Sequence, residues 1–196
     1  MNSYSIPQDV SVDDFFKQYV PLGFRMWTGD HPIEGMEGTE FTMQYRIAGE
    51  GGGTYGIRVR DGTEMEILEG EMDHAMLSIE MSEKDWRDSV TGKFGGADEW
   101  MQSQERPSKE RLETLRGIQG TLELELARPD EGVLECKVIF NMADIPRVLL
   151  QMKLDDYVAM QKGELRGQEA FLSGRMRVQG DMAFLMRLDS LNRARG

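Results

Sequence analysis

The sequence predicts an α+β protein: a mostly antiparallel sheet with helices packed on it, built from two related lobes. Three observations carry that class. Several stretches alternate apolar and polar residues with a period of two, the pattern of a strand with one buried face, clearest at Leu122, Leu124 and Leu126 against Glu123 and Glu125. Short segments with a Ser or Asp ahead of an apolar stripe interrupt the strands and read as capped helices. Finally, the second half of the chain repeats the order of the first.

In chain order, Met1 to Val10 reads as a tail or loose strand. Ser11, with Asp14 three residues on, opens a helix whose buried stripe is Phe15, Phe16, Tyr19 and Val20. Pro21 is expected to end or kink it. Phe24 to Gly38 reads as an irregular connection rich in glycine, pinned to the core by Phe24, Met26 and Trp27. Phe41, Met43, Tyr45 and Ile47 form the inner face of a first strand. Gly49 to Gly53 turns it into a second strand with Tyr55, Ile57 and Val59 inside, and Asp61-Gly62 leads to a third strand at 63–69. Opposite charges on the outer faces favour this pairing. A fourth strand carries Ala75, Leu77, Ile79 and Met81. Ser82 and Asp85 then cap a short helix with Trp86 and Val90, ended by Gly92. A second short helix is expected around Trp100 and Met101. The polar stretch 102–108 is the best lobe boundary, giving an N-terminal lobe over 1–104 and a C-terminal lobe over 105–196 within one compact unit. Helix Lys109–Leu115, strand Thr121–Ala127, the turn at Pro129, the strand of Leu134, Cys136, Val138 and Phe140, and strand Arg147–Lys153 complete the run.

The repeat is read from matched positions. Met81 and Met152, Asp85 and Asp156, Trp86 and Tyr157, Gly92 and Gly163, and Trp100 and Phe171 are each separated by 71 residues. Gly38-Thr39 and Gly120-Thr121 are 82 apart, so the second copy lacks 11 residues, about one strand and its turn at roughly 3.3 Å per residue. Strand loss exposes a sheet edge that the chain must cover or pair.

The C-terminal stretch carries most of the functional signal. A short helix from Asp156 is followed by Arg175 to Gln179, which alternates Met176 and Val178 against Arg175, Arg177 and Gln179 between Gly174 and Gly180. Asp181 is placed as a helix N-cap. The helix beyond it carries Met182, Leu185 and Met186 on one side and Phe184, Leu188 and Leu191 on an adjoining side, an apolar arc wider than packing on one sheet surface requires. This order of Gly-strand-Gly and Met-rich apolar helix resembles the sterol carrier protein type-2 family. The resemblance extends over Gly38 to Met101 and Gly117 to Leu191. It implies an α+β domain whose sheet and C-terminal helix enclose an apolar tunnel for lipids, and it assigns the lining to Met160, Phe171, Met176, Val178, Met182, Leu185 and Met186.

Composition bounds the function. The 196 residues are 39% hydrophobic, enough for a packed core, and 35 acidic against 23 basic side chains give a charge of −12. That field repels phosphate backbones and anionic membrane surfaces, which argues against nucleic acid as a partner. No apolar run is long enough for membrane insertion. One cysteine, Cys136, excludes an intramolecular disulfide, and without a secretion signal the expectation is a cytoplasmic protein. Fifteen methionines suit either an irregular core or a wall that adapts to variable apolar ligands.

No constellation points to covalent chemistry. Gly51, Gly53 and Gly56 have the spacing of a dinucleotide-binding signature, but they lie between two strands instead of leading into a helix, so they read as a hairpin. His31 follows Asp30 in a loop where neighbours point apart, and His74 falls on the outward face of its strand. Two histidines and one cysteine make no zinc spacing, and Cys136 lies on an apolar strand face, as a buried small hydrophobe does. The expectation is therefore a non-enzyme without cofactors that binds or transfers an apolar small molecule, a fatty-acyl chain or other lipid, with a homodimer left open. The alternative is an interaction or accessory module of the same fold with a filled core.

Overall fold

The structure, a computed structural model, describes residues 6–29, 35–92, 108–130 and 132–193. Among these, eight strands form one sheet in the order β3-β2-β1-β4-β6-β5-β7-β8. They are β1 (Glu40–Ala48), β2 (Gly53–Arg60), β3 (Glu64–Glu69), β4 (Leu77–Ser82), β5 (Gly120–Ala127), β6 (Val133–Phe140), β7 (Arg147–Lys153) and β8 (Met176–Gly180). Five neighbouring pairs are antiparallel, and β1 with β4 and β5 with β7 are parallel. The mostly antiparallel α+β expectation holds.

Side-chain alternation and register put most apolar residues of the eight strands on one face, with Leu68, Val133, Ile139 and Leu149 on the other. The row Ile47, Met81, Cys136, Leu124, Leu150, Val178 crosses six strands without a polar residue. The opposite face carries the charged strand residues, and Arg46, Glu80 and Lys137 stand side by side there, with contacts of 3.1 and 3.2 Å between opposite charges. Cross-strand pairs of this kind each contribute roughly 0.2–1 kcal/mol and penalise a register slip. That face is not all solvent: Gln44 is fully buried, donating to the Gly70 carbonyl at 3.1 Å and accepting from the Met72 amide at 2.6 Å, because the 70–76 segment folds over it.

The helices cover the apolar face in two groups. Over β1 and β2 lie α1 (Val12–Asp14), a π-helical stretch Phe15–Tyr19, α2 (Val20–Thr28) and, following β4, α3 (Glu83–Val90), which bury Val12, Phe16 and Trp86 against Ile47, Tyr55 and Ile57. Phe16 stacks on Tyr55 with centroids 4.6 Å apart and planes within 8°. Over β5, β7 and β8 lie α4 (Lys109–Arg116), α5 (Leu154–Gln161), α6 (Gly167–Leu172) and α7 (Met182–Arg193).

Several local expectations change. Pro21 neither ends nor kinks the helical run: the Val20 amide reaches back to the Phe15 carbonyl in a π turn, so Pro21 falls in the first turn of α2, where a missing N–H costs nothing. Residues 24–28 are accordingly helical, and Met26 is exposed rather than pinned to the core. His74 lies in the exposed loop before β4, not on the strand. Phe171 belongs to a helix, α6, that the alternation of its neighbours did not reveal. The expected helix around Trp100, together with Trp27's side chain, Asp30, His31 and the 102–107 boundary, lies outside the described residues. Other details hold: Ser11 accepts from the Asp14 amide and Ser82 from the Asp85 amide, each capping a first turn, and Ser108, not foreseen as a cap, accepts from the Arg111 amide.

Two features tie the first four strands to the last four. The edge of β6 pairs with β4 over Leu77–Met81 and Cys136–Phe140, so neither edge is free. Arg128, in the β5–β6 turn, reaches α3: its guanidinium donates to Asp85 and, at 2.5 Å, to Asp88, with its side chain wholly out of solvent. Burial opposes the charge on Arg128, but the hydrogen bonds to Asp88 and Asp85 hold its pKa above the ordinary arginine value.

Candidate functional site

The candidate site is the apolar layer between β5, β7 and β8 and the helices α5 to α7. Local chemistry fixes where α7 starts. Gly180 (φ +108°) packs so tightly on β7 that a Cβ there would lie 2.3 Å from the Arg147 carbonyl oxygen. The next amide, Asp181, donates to that same oxygen at 2.8 Å, and the Asp181 carboxylate caps the helix by accepting from the Phe184 amide at 2.7 Å. This phase turns Phe184 and Leu188, four residues apart, onto the sheet.

Phe184 is fully buried. Its ring lies against Gly120 (φ +136°), where a Cβ would sit 2.8 Å from the ring and 2.6 Å from the Pro146 carbonyl oxygen, and it meets Phe140 edge-on with centroids 6.0 Å apart. Glycine is needed at 120 for both its backbone and that contact. Of the seven residues assigned to the lining, Met176 is buried in this layer, and Met160, Val178 and Leu185 pack partly buried against it. Phe171, Met182 and Met186 are not brought together with them: they are exposed on the outer sides of α6 and α7. The residues that sequence reading passed over are Phe184, Leu188, Ala170, Leu165 and Tyr157. The spacing of Phe184 and Leu188 was visible as the adjoining stripe of the helix, and the signal that selects it is Gly120, a strand glycine marking close approach.

Electrostatics leave the layer neutral. Burial, with a smaller contribution from Asp85, pushes the Cys136 thiol up to about 12, and burial pushes the Tyr157 phenol to about 12 as well. Both are therefore uncharged near neutral pH, so Cys136 is an apolar wall group and not a thiolate nucleophile. Among the described residues no group of three His, Cys, Asp or Glu is placed to hold a metal ion, and no helix is long and apolar enough to cross a membrane. At the layer's margin Arg175 donates to Asp156, the third residue of α5, which holds the Arg175 pKa above its ordinary value. What this arrangement offers chemically is an apolar surface with adaptable methionines, in which Cys136 and Tyr157 are uncharged.

Such a layer under a C-terminal helix marks an α+β protein suited to apolar contacts. Residues 101–193 match the SCP-2 sterol transfer family. The resemblance to the sterol carrier protein type-2 family is thus a finding over the stretch that holds β5 to β8 and α4 to α7. Among solved structures the chain is similar to sterol carrier protein-2 like-3 from Aedes aegypti, at 8% identity over 95% of this chain and 100% of that one, with a TM-score of 0.24. No curated protein sequence matches the chain.

Proposed function

We propose that this protein binds or transfers an apolar small molecule, a fatty-acyl chain or other lipid, without covalent chemistry. The cargo lies between the apolar face of β7 and β8 and helix α7, against Met160, Met176, Val178 and Leu185, with Phe171, Met182 and Met186 at the outer rim. The observation that carries this reading is the match of residues 101–193 to a sterol transfer family, the same residues that form the layer under α7. Methionine suits the task because its unbranched, polarizable side chain adapts to a chain of variable shape.

The chain is further read as two related lobes, 1–104 and 105–196. Helices α3 and α5 are both eight residues long and begin 71 residues apart, at Glu83 and Leu154. Each follows a strand that runs parallel to the first strand of a hairpin, and each is followed by a glycine of positive φ, Gly92 or Gly163. The ladders refine the correspondence. Met43 faces Leu77 and Leu122 faces Val148, so β1 and β5 match at an offset of 79 (122 from 43) rather than 82, and the missing segment is 8 residues long.

A second reading, an interaction module of the same fold with a filled core, is favoured by the full burial of Phe184 and the near-full burial of Met176. The variant Leu185→Trp separates the two. Overpacking a filled core costs about 1–3 kcal/mol, whereas a cargo space takes the indole with little loss of stability and loses affinity. A fluorescent fatty-acid titration and a thermal melt on wild type and variant decide: strong destabilisation, with no fatty-acid binding by the wild type, contradicts the cargo reading.

A further inference from the structure

The sheet has two end strands, β3 and β8, and they differ in charge and in what surrounds them. Residues 61–73, which hold β3, carry six carboxylates and no Lys or Arg, with Glu64, Glu66 and Glu69 all exposed, so a second copy of this acidic chain is repelled there. Residues 164–187, which hold β8, carry three carboxylates and four arginines, all exposed, so the two signs mix and like-charge repulsion between copies is weak at this end. Among the described residues no strand pairs with the outer edge of β8. Large apolar side chains flank that edge at both ends: Phe171 (46% exposed) and Leu172 (75%) on α6 before it, Met182 (46%) and Met186 (71%) on α7 after it.

We infer that β8 is the seam of a symmetric dimer, pairing antiparallel with β8 of a second copy so that the sheet continues across a two-fold axis. Geometry fixes the register. An axis normal to the sheet keeps the apolar faces of both copies on one side, and opposite residues of an antiparallel pair point to the same face, so the axis must pass at a residue paired with its own copy. Only Val178, the middle of Met176–Gly180, lets all five strand residues pair. Met176 then faces the partner's Gly180, which has no side chain to crowd it, and Arg177 faces the partner's Gln179. The apolar row that ends at Val178 runs on into the second copy. Because the apolar strips lie at opposite ends of β8, the same pairing sets Phe171 and Leu172 of each copy beside Met182 and Met186 of the other, one contact made twice, as a two-fold interface requires. A second copy is selected because it meets both strips with both strips and carries the same mixture of charge. The inference stands on edge, register and charge and does not require cargo inside the protein.

Sedimentation velocity and light scattering on the full chain test the seam. Wild type is expected at twice the chain mass of 22.3 kDa, dissociating on dilution. Leu172→Glu, at an exposed position, should weaken the dimer about tenfold or more while its urea unfolding stays cooperative, and Leu22→Glu, exposed on α2, should leave the dimer unchanged. The register gives a test with a sign. Gln179→Lys sets a cation opposite the partner's Arg177 and should weaken the dimer about threefold or more, Gln179→Glu should tighten it by a similar factor, and Arg177→Glu added to Gln179→Lys should restore it. A monomer at every concentration would overturn the inference. So would a dimer that Leu172→Glu leaves intact, or one on which the two Gln179 variants act alike. Fatty-acid titration is a separate readout: a dimer that binds no fatty acid contradicts the cargo reading and leaves the seam standing.

Discussion

Asp85 and Asp156 occupy the same place in two helices, the third residue of α3 and of α5, and each takes an arginine, yet the two contacts differ in reach and burial. Arg175 comes from 19 residues away and is 48% exposed. Arg128 comes from the β5–β6 turn, 43 residues away, is fully buried, and serves Asp88 as well. The exposed contact tidies a local turn. The buried one ties a helix of the first four strands to a hairpin of the last four, beside the ladder that joins β4 to β6. An Asp at the third position of two helices thus does different work, because only α3 lies beside the β4–β6 joint.

The largest effect should come from cutting that joint. Expressed alone, Gly117 to Gly196 loses the strand that covers β6 and both carboxylates that hold Arg128, and should be aggregation-prone or dimeric by light scattering. A soluble monomer with a cooperative melt would show that the second lobe needs nothing from the first. Next comes Arg128→Met in the whole chain, which removes the guanidinium from buried Asp85 and leaves Asp88 with Lys84 at 3.6 Å. Loss of about 3–5 kcal/mol in urea denaturation is expected, and adding Asp85→Asn and Asp88→Asn should restore part of it. Arg175→Ala, at the exposed counterpart, should shift the midpoint several-fold less. Equal losses would erase the distinction between the two contacts.

A smaller effect sharpens the comparison between the helices themselves. Glu83 and Arg87 of α3 pair at 2.9 Å, whereas the positions 71 residues on in α5 are Leu154 and Val158. Hydrogen bonds from Arg87 and from the Gly51 amide hold the Glu83 carboxyl below its ordinary value of 4.5. Because the folded-state pKa is the lower one, the stabilisation is complete above about pH 4.5 and is lost as pH falls through the folded value. Arg87→Gln should flatten the acid limb of a melting curve followed against pH, while Val158→Ala should lower stability at every pH alike.

The strands were legible because most of their apolar residues alternate onto one face. Alternation at Leu122 to Leu126 or Phe41 to Ile47 needs only a period of two, and the serine caps at Ser11 and Ser82 are local chemistry. What the residues could not show was which strand lies next to which. The β4–β6 joint and the Asp85–Arg128 contact are relations between distant parts of the chain, and Arg128 reads as an ordinary turn residue until the turn is placed over α3. The candidate site was half legible for the same reason. Met160, Met176, Val178 and Leu185 pack in or against the apolar layer, but the phase of α7 depends on Asp181 meeting Arg147 and on Phe184 finding the bare backbone of Gly120. That phase sends Met182 and Met186 outward.

The central claim, an apolar cargo held under α7, is tested most directly by native mass spectrometry of gently purified full-length protein. A species heavier than the bare chain by the mass of a lipid, released on organic extraction and diminished in Leu185→Trp, is the predicted result. A single species at the bare mass, unchanged after incubation with fatty acids, would contradict it and leave the fold as a module with a filled core.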